Sequence, residues 1–208
     1  MAGLRAKQKA DKTRRILESA TTLFREQGYD SARIEDIAEM AEVSVGTLYN
    51  YYQNKGDILV ATVAMEVAEV LEAGARIVAN PPLNVAEALR TLIEQYYDHS
   101  LFYLSKEMWR TAMAISIQQP DTPLSRRYTE LDSQLCAQVV QLVKTLQTRG
   151  VVLASVNAQA MGEVFFNNLN AMFTEFCRVD DMRLEDLKAR VNAQHEPLAA
   201  LISTIKIV

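Results

Sequence analysis

Ser44, Thr47, Tyr49, Asn50, Tyr51 and Lys55 crowd into the stretch SARIEDIAEMAEVSVGTLYNYYQNK, residues 31–55. Short hydroxyls, phenols, an amide and an ammonium are the groups that bond phosphates and base edges in duplex DNA. Gly46 among them permits close approach of backbone to a base pair or phosphate, and Thr47 can bond a base edge or touch a thymine methyl. Catalytic chemistry has no comparable support. The two histidines, His99 and His195, lie far apart, and neither His nor Cys stands at metal-ligand spacing. No Gly-x-Ser-x-Gly elbow, phosphate-binding loop or dinucleotide fingerprint occurs, and the many Asp and Glu residues read as solvated helix faces. The residues predict neither a catalytic centre nor a metal or cofactor.

These groups need elements to aim them. Ile34, Ile37, Ala38 and Ala41 recur at i, i+3, i+4, i+7, and Val45, Leu48 and Tyr52 repeat at the same spacing. Ser44 between the two sets is a good N-cap. Two short amphipathic helices joined so tightly predict a helix-turn-helix whose second helix enters a major groove. By its period, Leu48 and Tyr52 face inward against Ile16, Ala20, Leu23 and Phe24. That leaves Val45, Gly46, Thr47, Asn50 and Tyr51 for DNA, with Ser44 at the helix start. Arg33 is the one residue placed to supply an arginine–guanine pair, so A·T-leaning or shape-assisted recognition is expected. Lys55 opens the next helix, where a cation opposes the helix dipole and a phosphate would relieve it.

At these residues the chain resembles the Tet-repressor (TetR) family of bacterial transcription regulators. The resemblance rests on a first helix from about Asp11 to Gln27 ending at Gly28-Tyr29, on Ile37-Ala38, on Val43 through Tyr52, and on Asn54-Lys55. It covers about the first sixty residues. It implies phosphate contacts from Tyr49 and Lys55, and base or backbone contacts from Tyr51. Two departures stand out: Arg33 replaces the usual threonine opening the second helix, and Glu42 replaces the usual glycine of the turn. If that turn needs φ > 0, Glu42 carries a steric penalty that glycine avoids.

The 208 residues are 49% hydrophobic and 23% charged, as in soluble globular proteins, and no apolar run approaches a membrane span. No signal peptide opens the sequence, and Cys136 and Cys177 read as buried free thiols in a reducing cytoplasm. The net charge of −4 is unevenly spread. Residues 1–15 carry six Lys/Arg against Asp11 alone, whereas residues 56–208 carry thirteen Lys/Arg and eighteen Asp/Glu. Only the amino-terminal end suits a phosphate backbone, which predicts a basic arm beside the helix-turn-helix.

Helical periodicity dominates the rest, so the fold class is all-α. A three-helix helix-turn-helix domain (1–55) is expected to precede a helical ligand-binding and dimerisation domain (56–208). Asp57 is a candidate N-cap for a helix running to about Ala79, where Asn80-Pro81-Pro82 stops it. Asn84 and Asn157 are further caps, Gly150 is a C-cap, and Pro197 predicts a kink or a split in the final helix. Met161, Val164, Phe165, Phe166, Leu169, Met172, Phe173 and Phe176 occupy more than one face of the 157–178 helix. Either that helix is central, or one face meets a second subunit. Helix-turn-helix proteins read palindromes as dimers, and the resemblance implies a four-helix pairing, so a homodimer through 157–178 and 182–205 is expected.

Tyr96, His99, Phe102, Tyr103, Trp109 and Met113 crowd the middle of the body. The resemblance implies an inducer pocket there, for a small apolar or aromatic ligand, with Tyr128, Asn167 and Asn170 as polar lining beside His99. The combined expectation is a homodimeric repressor of a palindromic operator, released by ligand. The alternatives are a ligand-independent DNA-binding or architectural protein and an all-α enzyme.

Overall fold

Each helix stops where its residues forbid another turn. In the computed structural model, which describes residues 2–204 (Ala2, Leu4 and Arg5 as backbone only), α1 (Ala2–Gln27) ends at Gly28 with φ +81. A Cβ strains that left-handed conformation, and glycine does not. There follow α2 (Ile34–Met40), α3 (Val45–Tyr49), α4 (Lys55–Ala79), α5 (Val85–His99) and α6 (Lys106–Gln118). The chain continues through α7 (Pro123–Thr148), α8 (Ala158–Arg178) and α9 (Leu184–Ile202). The fold is all-α; among the described residues the only extended pairing is an isolated bridge between Val152 and Ser203. No helix among them is long and apolar enough to cross a membrane.

Side-chain caps set most starts. Asn84, Ser105 and Asn157 accept from the backbone N–H three residues on, opening α5, α6 and α8. Pro123 is the first residue of α7, where its missing N–H is harmless. Gly150, φ +74, closes the same helix.

Several sequence expectations change. The basic stretch is no loose arm: its backbone is helical from Ala2, as the first half of α1. Asp57 is not the N-cap of α4. Asn54 Oδ1 accepts from Asp57 N at 3.0 Å, which makes Asn54 the cap, and Asp57 Oδ2 accepts from Gln53 N at 2.8 Å. Pro197 does not split α9, which runs unbroken through it. Cys177 is buried, but Cys136 is only half-buried; both are free. Ile205, the end of the expected pairing segment, lies outside the described residues.

The chain divides into two compact units, one running up to Met65 together with Tyr103–Tyr128, the other Glu66–Phe102 together with the chain from Thr129. The division between these units falls within α4, and the first unit also takes in α6 and the start of α7. In that unit α1 packs on α2 and α2 on α3. Its buried core holds Ile16, Ala20, Leu23, Phe24, Ile37, Ala38, Leu48, Ile58, Leu59, Met108 and Trp109.

In the second unit α9 packs on α5 and α8. Tyr97 donates to the Leu169 carbonyl at 2.9 Å, tying α5 to α8. Tyr96 donates to Gln138 Oε1 at 2.6 Å, and Gln138 donates to the Leu71 carbonyl at 2.8 Å. Helix α8 is central within one chain: Phe165, Phe166, Leu169, Met172, Phe173 and Phe176 are all buried. Its apolar breadth therefore serves this unit's own core. Among the residues it leaves exposed, Ala160, Val164, Asn167 and Ala171 form a narrower stripe, with Gln159, Glu163 and Arg178 exposed besides.

Candidate nucleic-acid interface

Arg33 precedes α2 in extended conformation (φ −103, ψ 146), but its side chain makes no capping bond and instead pairs with Glu35 at 3.4 Å. An arginine has no acceptor with which to cap, so the threonine-to-arginine departure leaves this helix start without a side-chain cap. At the other end, Val43 N bonds the Ala38 carbonyl at 2.9 Å, and the chain reverses at Glu42 with φ +52. Among the described residues this is the one non-glycine with positive φ. Such a conformation costs a bulky residue about 1 kcal/mol or more. The conditional penalty at Glu42 is thus incurred.

Ser44 then caps α3. Its Oγ accepts from Thr47 N at 3.1 Å and lies 2.8 Å from Thr47 Oγ1. The Thr47 hydroxyl is therefore held in place by the cap itself, leaving its methyl and two of its three hydrogen-bonding sites for other contacts. Leu48, fully buried, anchors the five-residue helix. Around this anchor Ser44, Gly46, Tyr49 and Asn50 are exposed, while Val45, Thr47 and Tyr51 are half-buried. A Cβ built at Gly46 meets nothing within 4 Å, so the space beside it is open.

Tyr52, expected to face inward, is half-buried; burial, then the neighbouring Tyr51, raises its phenol pKa above the usual range. It lines a hollow with Leu17, Val60 and Ala61. Lys55 departs from expectation more sharply. Its ammonium donates to the carbonyls of Tyr29 and Asp30, both at 2.8 Å, and lies 4.9 Å from the Tyr29 ring centroid. The conflict with the helix dipole is thus relieved inside the protein, and a phosphate is not needed for it. One of three N–H donors remains for another partner. The Asn54–Asp57 cap and the Lys55 anchor were both missed from sequence. The first had a readable signal in Asn-x-x-Asp; the second, spanning 26 positions, had none.

Lys7, Lys9, Lys12 and Arg14 are exposed along α1. Arg14 pairs with Glu18 at 3.4 Å and Arg15 with Glu42 at 3.1 Å. The basic charge is therefore carried on a helix that packs on α2, in the same compact unit as the exposed polar groups of α3.

The residues expected to line a ligand site fall in both compact units. Tyr103, Trp109, Met113 and Tyr128 belong to the first unit, and Tyr96, His99, Phe102, Asn167 and Asn170 to the second. His99 and Phe102 share a depression of about 570 Å³ with Ile77, Thr91, Glu94, Gln95 and Asp98, their rings 5.5 Å apart. Phe102 is largely exposed and Asn167 lies on the outer stripe of α8. Asn170 hydrogen-bonds Asp132, whose carboxyl burial pushes up to about 6. One acidic side chain is buried in the second unit. Glu66 is 1% exposed, and its carboxylate meets His99 Nδ1 at 2.8 Å while Glu69 meets Nε2 at 3.2 Å.

A helix-turn-helix head followed by a helical body defines a class, the DNA-binding transcription regulators, and comparison with known proteins narrows it. The family profile described as "Bacterial regulatory proteins, tetR family" matches residues 16–62. The HTH-type transcriptional repressor KstR of Rhodococcus jostii (strain RHA1) is 26% identical over 188 residues, which cover 84% of this chain and 80% of that protein. Among solved structures, Thermus thermophilus FadR, a TetR-family repressor in complex with lauroyl-CoA, has 22% identity and a TM-score of 0.67, covering 94% of this chain and 98% of its own. A transcriptional regulator from Saccharomonospora viridis in complex with choline has 21% identity and a TM-score of 0.68, covering 90% and 96%. Residues 16–62 thus match the TetR family of bacterial regulators, and the likeness to the repressor KstR extends well beyond them.

Proposed function

We propose that this regulator is a homodimeric repressor that binds a palindromic operator and is released by a small molecule. The observation that carries the DNA-binding part is α3. Its buried Leu48 fixes a helix whose exposed side presents Ser44, Gly46, Tyr49 and Asn50, with Val45, Thr47 and Tyr51 partly open beside them. In this reading Tyr49, Tyr51 and the remaining donor of Lys55 meet phosphates, and Val45 to Thr47 meet base edges. Arg33 would leave Glu35 for a phosphate or guanine.

Dimerisation through α8 and α9 is supported by their exposed small and apolar residues: Ala160, Val164 and Ala171 on one, Ala189, Ala193, Pro197 and Leu201 on the other. The ligand would have an apolar or aromatic body, suited to the apolar interior of the second unit, and a polar end answered by Glu66 and His99. The relatives solved with lauroyl-CoA and with choline supply two probes of different chemistry. Helix α4 begins in the first unit and ends in the second, so a ligand that displaces it alters the reading head. Release requires that the ligand bind the non-DNA conformation better, with coupling of about 1–3 kcal/mol.

Selection of bound duplexes from a random library, with ligand-free protein, tests the core of this reading. An enriched palindrome supports it, and no enrichment at low salt overturns it. With the operator in hand, Tyr51→Ala should weaken binding about tenfold or more while the sedimentation of the dimer is unchanged. Dissociation of that variant into monomers would remove Tyr51 from the DNA surface.

A further inference from the structure

The turn between α2 and α3 holds a glutamate in a conformation that favours glycine, and its carboxylate reaches back to the basic face of α1. We propose that Arg15 is a phosphate-contacting residue of the reading head and that Glu42 is its competing anion, an internal brake on DNA affinity. The inference rests on the DNA-binding reading above.

Three observations combine. Glu42 has φ +52, so something other than backbone preference keeps a bulky residue there. Its side chain is 83% exposed and sits 3.1 Å from Arg15 Nη1, across 27 positions of sequence. Position 42 lies two residues before Ser44, the N-cap of α3, and the N-terminal end of a reading helix is the end that meets base edges. A carboxylate placed there both occupies a guanidinium and adds a negative charge beside an approaching backbone. Glu35, Asp36 and Glu39 of α2 reinforce the acidic side of this balance, and Lys12 and Arg14 of α1 the basic side.

An exposed ion pair of this kind is weak, and salt screens it. A phosphate offers Arg15 two well-spaced acceptors. Docking thus exchanges Glu42 for phosphate, and the glutamate is left facing the DNA unpaired. The consequence is a head that holds sequence-neutral DNA less firmly than its basic α1 alone would, so that more of the binding depends on base contacts.

The test is duplex binding by anisotropy between 50 and 200 mM salt, on the selected operator and on an unrelated duplex. The proteins are wild type, Glu42→Gln, Glu42→Gly, Arg15→Gln and the Glu42→Gln/Arg15→Gln double variant. Melting curves accompany each to establish folding. Glu42→Gln keeps the strained backbone and removes only charge. It is expected to tighten binding about three- to tenfold at 50 mM salt and to steepen the log–log salt slope by roughly one. Arg15→Gln should weaken binding and flatten the slope by about as much. In the double variant most of the Glu42→Gln gain should vanish, because the two groups act as one unit. If Glu42→Gln leaves affinity and slope unchanged, or if its gain survives the loss of Arg15, the proposal falls. A gain in Glu42→Gly alone would also overturn it, by assigning the effect to backbone strain. Failure of wild-type protein to bind either duplex at 50 mM salt would overturn the regulator reading and this inference together.

Discussion

The reading head and the helical body solve the problem of positioning polar groups in opposite ways. In the head, the groups from Arg33 to Lys55 fall within 23 consecutive residues, and, Lys55 aside, local bonds shape the segment: the Ser44 cap, the Ala38–Val43 turn bond, the Asn54–Asp57 pair. In the body, His99 of α5 is held by Glu66 and Glu69 of α4, and Asn170 of α8 meets Asp132 of α7. The head is a small-scale device resting on one buried leucine. The body is a packed core in which polar groups are isolated exceptions. Perturbations should therefore separate the two.

The largest separation should come from Leu48→Ala. Leu48 is fully buried and the sole buried residue of α3, so truncation costs about 3–5 kcal/mol. The loss falls on the head, while the core around Phe165, Phe176 and Leu92 is untouched. Calorimetry should show the head melting first and the body near its original temperature, with duplex binding abolished. A single transition shifted as a whole would mean that the two units are energetically one, and the comparison would break.

Acid should act on the body instead. His195 is 3% exposed, packs edge-on to Phe165 at 5.0 Å, and neither ring nitrogen has a hydrogen-bond partner. Burial lowers its pKa to about 4. The unfolded chain, with an ordinary histidine, binds this proton more readily than the folded one. The stability that neutral His195 preserves is therefore complete above about pH 6.5 and is lost as pH falls toward 4, by an amount on the order of 3 kcal/mol. Asp132, raised to about 6, works against this, because its carboxyl favours the folded state as it protonates. His195→Phe should flatten the acid side of the melting-temperature profile between pH 6.5 and 4. An unchanged profile would place the acid sensitivity elsewhere.

Gly162→Ala sharpens the contrast through packing. A Cβ there would lie 2.5 Å from Val140 Cα, and backbone cannot yield as a side chain would. A cost of about 1–3 kcal/mol is expected in the body. Gly46→Ala lies in a helix of the head, meets open space and should stabilise it by about 0.5 kcal/mol, while exposing any need for close DNA approach. Equal losses of stability in the two variants would contradict the packing difference.

These differences explain what the sequence made legible. The all-α class, the five-residue reading helix and its Ser44 cap depend on neighbours three or four positions apart, and periodicity reports those. The strain at Glu42 was legible because a left-handed turn is a local property. Lys55 could not be read so, because its partners Tyr29 and Asp30 are 26 and 25 positions away. Nor could the assignment of Tyr103, Trp109 and Met113 to one compact unit and of Tyr96 and His99 to the other, although they share a stretch of sequence. The breadth of apolar residues on α8 was read correctly as a demand for two covered faces. Which partner covers them is a tertiary fact that composition does not carry.

The smallest predicted effect turns on two turns with the same backbone sign and opposite residue choice. Gly150 closes α7 at φ +74 with nothing within 4 Å of its missing Cβ, so Gly150→Ala incurs conformational strain alone, about 1 kcal/mol. Glu42 at φ +52 already bears that strain. Glu42→Gly relieves it, but loses the exposed Arg15 pair and gains unfolded-chain entropy, each worth several tenths of a kcal/mol. A net gain of about 0.5 kcal/mol is expected in urea denaturation, against a loss of about 1 for Gly150→Ala. A net loss from Glu42→Gly would mean that the Arg15 pair contributes more to folding than an exposed ion pair ordinarily does. The glutamate would then be holding the turn together as well as tempering its charge.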